Sequence, residues 1–160
     1  MKAISLWQPW ASLMAIGEKV VETRSWPTLH RGPLVICSTK SWNRDVLAQL
    51  HAAHLKPICD DDSDWRRILA ALDLRGIGLR DLPLGQALCV VHLADCQRVE
   101  RIEPQPWVTE DELAFGDYTP GRFGWITERL RPLNPFPVQG KRGLWDIPDE
   151  AVQAAQLSKE

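Results

Sequence analysis

The sequence predicts an α+β fold, and three observations lead to that prediction. Short apolar runs bounded by turn residues indicate strands at Leu34–Ser38, Gly85–Leu93, Phe123–Glu128 and Leu144–Ile147. The segment 42–84 instead has apolar residues at helical spacing, and residues 2–25 read as strand, helix and strand. A length of 160 residues fits one domain, 1–160, with enough chain to bury a core.

The first two dozen residues contain the clearest local pattern. Lys2–Leu6 is strand-like, and Pro9 suits the first turn of a helix that extends to Ile16. Gly17 can adopt the left-handed conformation that ends a helix, so the chain reverses there. The run Lys19–Ser25 is then typical of a second strand, and tryptophans stand on both sides of this stretch.

Three charged residues alternate along this second strand. Glu22 and Arg24 are two positions apart, which places both side chains on one face of a strand. Lys19 has the opposite parity, so it joins them only if it lies in the turn after Gly17. Both arrangements are compatible with the sequence. In either one, a plain cross-strand ion pair is the structural alternative to a functional cluster.

The segment 42–84 predicts a helical insertion that borders the sheet. Its first helix has Asn43 or Ser41 as N-cap, and its second, Trp65–Leu72, follows an acidic run at residues 60–64. Acidic residues at this position are stabilised by the positive N-terminal end of the helix dipole. A cation site is the alternative interpretation. The glycine and the distal glutamate of a calcium-binding loop are missing, which argues against it.

The remaining chain alternates between turns and short elements. Thr109–Gly116 is typical of a short capped helix, and Pro148 suits the start of a terminal helix. Leu130–Val138 contains three prolines, which predicts an extended connection along a sheet edge. His92 lies inside an apolar strand, where a core role is favoured over a catalytic one.

Composition restricts the partners and the location. A net charge of −2 argues against nucleic-acid binding over the whole surface, so any such site must be local. Eight tryptophans supply indole surfaces suited to cores and to base stacking. The N-terminus lacks the pattern of a signal peptide, and no apolar run is long enough to span a bilayer. We therefore expect a cytoplasmic protein without a membrane partner.

The four cysteines form no CxxC pair, and a chain of this length needs no disulfide framework, so we expect free thiols. His51, His54 and Cys59 are the strongest metal alternative, with Asp60 or Asp61 as a fourth ligand. We expect neither a metal nor a cofactor.

The spacing of Gly17, Lys19, Glu22 and Arg24 resembles the GxKxxExR signature of the ASCH domain family, a branch of the PUA-like β-barrels. Later segments, including Gly140-x-x-Gly143-Leu144-Trp145, resemble other strands of that family. The resemblance implies a small, partly open, mixed β-barrel of about five to seven strands, with the first helix capping one end. The insertion at about 42–84 is long for this family.

The resemblance also implies a ligand cleft beside the signature. It suggests single-stranded RNA, a nucleoside or a nucleotide as ligand, with DNA as an alternative. Stacking and phosphate contacts are expected in such a site. The candidate ligand-binding residues are Trp7, Gln8, Trp10, Arg24, Ser38, Lys40, Arg122 and Trp125, with Lys141 and Arg142 extending the positive strip.

A second function class is an enzyme. Some relatives remove the acetyl group of N4-acetylcytidine, and others have been linked to RNA cleavage. By that resemblance Lys19 matches the lysine of the amidohydrolase branch; the chemistry of the two residues would also allow an alternative arrangement, with Lys19 as the base and Glu22 as the proton shuttle of a metal-independent hydrolase. Glu22, however, stands where the amidohydrolase branch has threonine. A protein-interaction module is the third alternative.

Overall fold

The protein is described by a computed structural model that covers residues 1–57 and 63–156. Its centre is one curled sheet of six strands: β1 Lys2–Leu6, β2 Val21–Arg24, β3 Gly32–Ser38, β4 Gln86–Arg98, β5 Phe123–Pro137 and β6 Leu144–Asp146. The spatial order is β2-β5-β4-β3-β1-β6, in which β1 and β3 are parallel and the other neighbours antiparallel. The predicted α+β class and strand number are confirmed.

Six α-helices and a 3-10 helix, Leu79–Asp81, accompany the sheet in the described part of the chain: α1 Trp10–Ala15, α2 Arg44–Leu55, α3 Asp64–Asp73, α4 Val99–Ile102, α5 Glu110–Ala114 and α6 Asp149–Ala154. Helices α2 and α3 lie between β3 and β4, as the spacing of apolar residues predicts. The Asn43 side chain accepts hydrogen bonds from two backbone N–H groups at the start of α2. The Ser63 hydroxyl caps α3 by accepting a hydrogen bond from the N–H of Arg66.

The sheet is buried on both faces. Leu34 and Ile36 of β3 belong to one apolar cluster, whereas Val35 and Cys37 belong to another on the opposite face. This explains the continuous apolar run in β3, since a strand buried on both sides has no polar face. A third cluster joins α2 and α3 to Leu13 of α1. The insertion is therefore packed against the helix that precedes the signature.

Two strands are longer than the sequence predicts. β4 continues to Arg98 instead of ending near Leu93, and β5 runs on through the proline-rich segment. The C-terminal half of β5 pairs with β4 on one edge, and its other edge has only an isolated bridge from Leu133 to Gln156, so it tolerates residues without an N–H. The predicted extended segment along a sheet edge is confirmed, but it belongs to the strand.

The described cysteines are free thiols, as expected. Burial raises the pKa of the Cys37 and Cys89 thiols to about 12, so neither is a reactive thiolate at neutral pH. Cys59 and residues 60–62, on which the zinc and cation alternatives depend, lie outside the described residues, as does Leu157 of the predicted terminal helix. Within residues 1–57 and 63–156, no group of three metal-ligating side chains is found and no helix is long and apolar enough to cross a bilayer.

Candidate ligand cavity

The turn between α1 and β2 decides where Lys19 lies. Gly17 has φ of +81°, and the backbone N–H groups of Glu18 and Lys19 both donate to the carbonyl of Leu13. Because β2 begins only at Val21, Lys19 belongs to the turn and not to the regular strand. Its ammonium can therefore reach Glu22 despite the wrong strand parity.

Glu22 lies between two cations. Its carboxylate oxygens are 3.7 Å from Lys19 Nζ and 3.7 Å from Arg24 Nη1. The Glu22 side chain retains 12% exposure, whereas Lys19 is only 1% exposed and donates a hydrogen bond to the carbonyl of Val21. Lys19 thus supports Glu22 from inside the protein, and Glu22 is the member of the pair that faces the cavity.

Burial raises the pKa of the Glu22 carboxyl, while the positive charges of Lys19, Arg24 and Arg122 act in the opposite direction. Both contacts of this carboxylate with the described residues are ion pairs longer than a hydrogen bond. An ionised carboxylate has about four acceptor positions, so Glu22 keeps acceptor capacity for a ligand.

A second buried acid holds the same segment of backbone. The two carboxylate oxygens of Glu112, in α5, accept hydrogen bonds from the N–H groups of Val20 and Val21 at 3.0 Å and 2.9 Å. Glu112 is 5% exposed and lies 91 positions from Val21 in sequence. It therefore fixes the entry to β2, and with it the direction of Glu22.

A cavity of about 1200 Å³ opens over this ion-pair cluster. Its walls come from the end of β1 and start of α1, from β2, from the exit of β3, from the first turns of α3, from residues 114–117 and from residues 139–143. Nine of the predicted residues line it: Trp7, Trp10, Glu22, Arg24, Ser38, Lys40, Arg122, Lys141 and Arg142. These positions are distant in sequence, and the curled sheet and insertion bring them together.

Four of the eight tryptophans line the cavity: Trp7, Trp10, Trp26 and Trp65. Trp7 is 51% exposed, whereas Trp10 packs against Trp65 with ring centroids 6.3 Å apart. The Arg24 guanidinium lies 5.6 Å from the centroid of Trp26, which is within cation–π range. Residues on both sides of the signature segment, residues 17–24, in sequence thus contribute indole rings to the cavity wall.

The cavity is locally positive in a chain of net charge −2. Its basic side chains are Arg24, Lys40, Arg122, Lys141 and Arg142, and its acids are Glu22, Asp64 and Asp117. Arg122 is held by the carbonyl of Thr23 and by the Asp117 carboxylate, at 3.2 Å and 3.3 Å. Lys40, Lys141 and Arg142 are exposed at the rim.

Three predicted site residues lie outside the cavity lining. Lys19 is behind Glu22, as described above. Gln8 is fully buried, where its amide donates to the carbonyl of Pro83 and accepts from the N–H of Ser12. Trp125 is also fully buried: it lies on the same face of the sheet as its partner Glu22, but inside the apolar cluster that contains Leu6 and Ile36. Its indole N–H donates to the carbonyl of Trp26, and the two rings meet edge to face at 4.7 Å. It supports Trp26 and presents no free face to a ligand.

Sequence reasoning missed Trp65, Asp64 and Asp117 as lining residues and Glu112 as a support. Trp65 was placed correctly at the start of a helix, but helical periodicity does not tell which surface the helix covers. Glu112 has the ordinary appearance of an acid in the first turn of a helix. No local signal distinguishes it from its neighbours.

The curled sheet, the capping helix and the charged cleft together define a PUA-like domain. The chain belongs to the ASCH domain family, because the model of the ASCH domain matches residues 4–127. It is 29% identical over 156 residues to Activating signal cointegrator 1 of Mus musculus and to that of Homo sapiens. Each match covers 96% of this chain and only 23% of the relative's length.

Two solved structures have the same fold. The crystal structure of ASCH from Zymomonas mobilis superposes with a TM-score of 0.52 at 14% identity, over 95% of this chain and 90% of that one. A point mutant of the same protein gives a TM-score of 0.51 at 16% identity, over 96% and 92% of the two chains. At these identities the similarity concerns the fold alone.

Proposed function

We propose that the protein binds single-stranded RNA, or a nucleotide, in the cavity beside the signature. The main support for this proposal is the composition of the cavity wall. It contains five basic side chains, three acidic side chains and four tryptophans, in a chain whose net charge is negative. Local positive charge attracts phosphate, and exposed aromatic rings stack on unpaired bases. Membership of the ASCH family supports the same class of ligand.

The size of the cavity supports a ligand with splayed bases. Small-molecule sites commonly occupy about 300–1000 Å³. A cavity of about 1200 Å³ therefore has room for more than one nucleoside unit. Sequence-specific RNA recognition commonly uses unpaired bases that stack on aromatic or guanidinium planes, and Trp7, Trp26 and Arg24 supply such surfaces here. DNA remains the alternative ligand, separated by comparing matched RNA and DNA oligomers.

Stacking on Trp7 is the first testable consequence. We expect Trp7→Ala to weaken binding of a short, labelled, single-stranded RNA by about 1–3 kcal/mol, measured by fluorescence anisotropy. Trp107→Ala is the matched control, because Trp107 is similarly exposed, at 45%, and lies outside the cavity lining. Equal affinities for both variants would contradict stacking in this cavity.

Phosphate contacts at the rim give a second consequence. We expect Lys141→Ala and Arg142→Ala each to reduce the slope of log affinity against log salt by about 0.7, the value for one lost phosphate contact on a single strand. Lys2→Ala serves as control, since Lys2 pairs with Asp146 outside the cavity lining. An unchanged slope in both rim variants would remove residues 139–143 from the interface.

The hydrolase alternative assigned Lys19 as the base. At 1% exposure and behind Glu22, its ammonium reaches no substrate in the cavity unless the protein rearranges. The geometry therefore favours binding over catalysis by this residue. Incubation of the protein with the same RNA and with N4-acetylcytidine, followed by product analysis, separates the two classes.

A further inference from the structure

Glu22 lines the cavity, neither of its carboxylate oxygens has a hydrogen bond to the described residues, and the Arg24 guanidinium lies beside it. Its ion pairs with Lys19 and Arg24 are both 3.7 Å long, so neither occupies an acceptor position with a normal hydrogen bond. Polar groups in such sheltered positions are nearly always hydrogen-bonded. A ligand with N–H donors would complete the coordination of Glu22.

The neighbouring donors specify the rest of the pattern. Arg24, on the same face of β2 as Glu22, has a side chain that is 28% exposed and lines the cavity. Arg122, from the loop that precedes β5, also lines the cavity, and its charge acts on Glu22. This part of the cavity wall therefore combines the two carboxylate oxygens of Glu22, as hydrogen-bond acceptors, with the cationic donors of Arg24 and Arg122.

We propose that the cavity is selective for guanine, read at its Watson–Crick edge by Glu22 and Arg24; this inference rests on the proposed function. Guanine carries two adjacent donors, N1–H and the N2 amino group, with the O6 acceptor beside N1. The two donors match a bidentate carboxylate, and O6 matches the guanidinium. Cytosine and adenine offer one amino donor beside an acceptor nitrogen, and uracil offers one N–H between two carbonyls. Each fills only one oxygen of Glu22.

The surrounding indoles suit a base in this orientation. Trp26 follows Arg24 in the cavity wall and is held in place by Trp125, while Trp7 remains half exposed at the opening. A base that stacks on one of these rings can direct its edge toward β2. Stacking is tolerant of base identity, so the selectivity is assigned to the Glu22 carboxylate.

The test uses uridine oligomers that carry one central guanosine, inosine, adenosine, cytidine or uridine. Inosine retains N1–H and O6 but lacks the N2 amino group, so it removes one hydrogen bond to a charged acceptor. We expect the wild-type protein to bind the guanosine oligomer about tenfold more tightly than the inosine one, and more tightly than the other three. Equal affinity for guanosine and inosine would overturn the proposal without any variant.

Glu22→Gln tests the residue itself. An amide has one acceptor and one donor, so it can no longer accept from N1–H and the N2 amino group of guanine together, and it fits the single donor and acceptor pair that every base offers. We expect this variant to bind the guanosine and inosine oligomers with equal affinity, with Glu18→Gln as the matched control that keeps the wild-type order. Glu18 is adjacent to the signature and pairs with Arg75 outside the cavity lining.

Different results would contradict the proposed RNA binding and the proposed guanine selectivity. Binding of all five oligomers with equal affinity would overturn guanine selectivity and leave RNA binding intact. Absence of binding to all five, in a protein with a wild-type unfolding transition, would overturn the proposed function and the selectivity with it. If Glu22→Gln kept the guanosine preference, Glu22 would not be the residue that recognises guanine, and the proposal would be wrong.

Discussion

Glu112→Ala is expected to lower the free energy of unfolding by about 2–6 kcal/mol, because it leaves two backbone N–H groups without an acceptor. The donors belong to Val20 and Val21, and the Val21 N–H is buried. A loss of this size is a large part of the 5–15 kcal/mol that stabilises a typical domain. Urea unfolding followed by tryptophan fluorescence measures it.

The neighbouring Glu110 provides the control. It lies in the same helix, is 84% exposed and pairs with Arg67 on the surface. Exposed ion pairs contribute about 0–1 kcal/mol, so Glu110→Ala should unfold close to the wild type. If Glu112→Ala behaved like Glu110→Ala, the bond from α5 to the start of β2 would not stabilise the fold.

Glu22→Ala is expected to destabilise the protein by about 3–5 kcal/mol, since it leaves the Lys19 ammonium buried without its carboxylate. The double variant Lys19→Met with Glu22→Ala should recover much of this loss, because the stranded charge is gone and the methionine side chain fills a similar volume. Unfolding free energies of the two single variants, the double variant and the wild type give the coupling.

Glu18→Ala is the matched control for this cycle. Its partner Arg75 is about half exposed, and the pair lies on the surface at 2.8 Å. We expect a change within about 1 kcal/mol. Wild-type stability of Glu22→Ala would mean that Lys19 finds another partner or reaches solvent, and the buried support described for Glu22 would be wrong.

Local rules were sufficient for the backbone of the signature. A strand, a short helix, a left-handed glycine and a second strand follow from residue types between Lys2 and Arg24, and the structure has these elements with ends shifted by one or two residues. The shared face of Glu22 and Arg24 also follows, because side chains alternate along a strand. The alternation did not decide the position of Lys19, which depends on the length of the turn.

Exposure was the property that sequence reasoning predicted least well. Trp7 and Trp125 are the same residue type, yet one is half exposed in the cavity and the other is fully buried. The difference arises from strand pairing: Trp125 lies within β5, between Glu22 of β2 and Cys96 of β4, and joins the buried apolar cluster, whereas Trp7 follows the last residue of β1. Register is a contact between strands, and a single strand does not contain it.

The α+β class, the helical insertion, the ASCH family and the charged face of β2 could all be predicted from residue types and spacing. Only the tertiary structure decided that Trp65 of the insertion lines the cavity, that Lys19 lies behind Glu22, and that Glu112 holds the turn from 91 positions away. Helix and strand formation depend on neighbours within a few residues, so they can be read locally. Which side chain is buried or meets a ligand depends on elements that are distant in sequence and become neighbours only when the sheet curls.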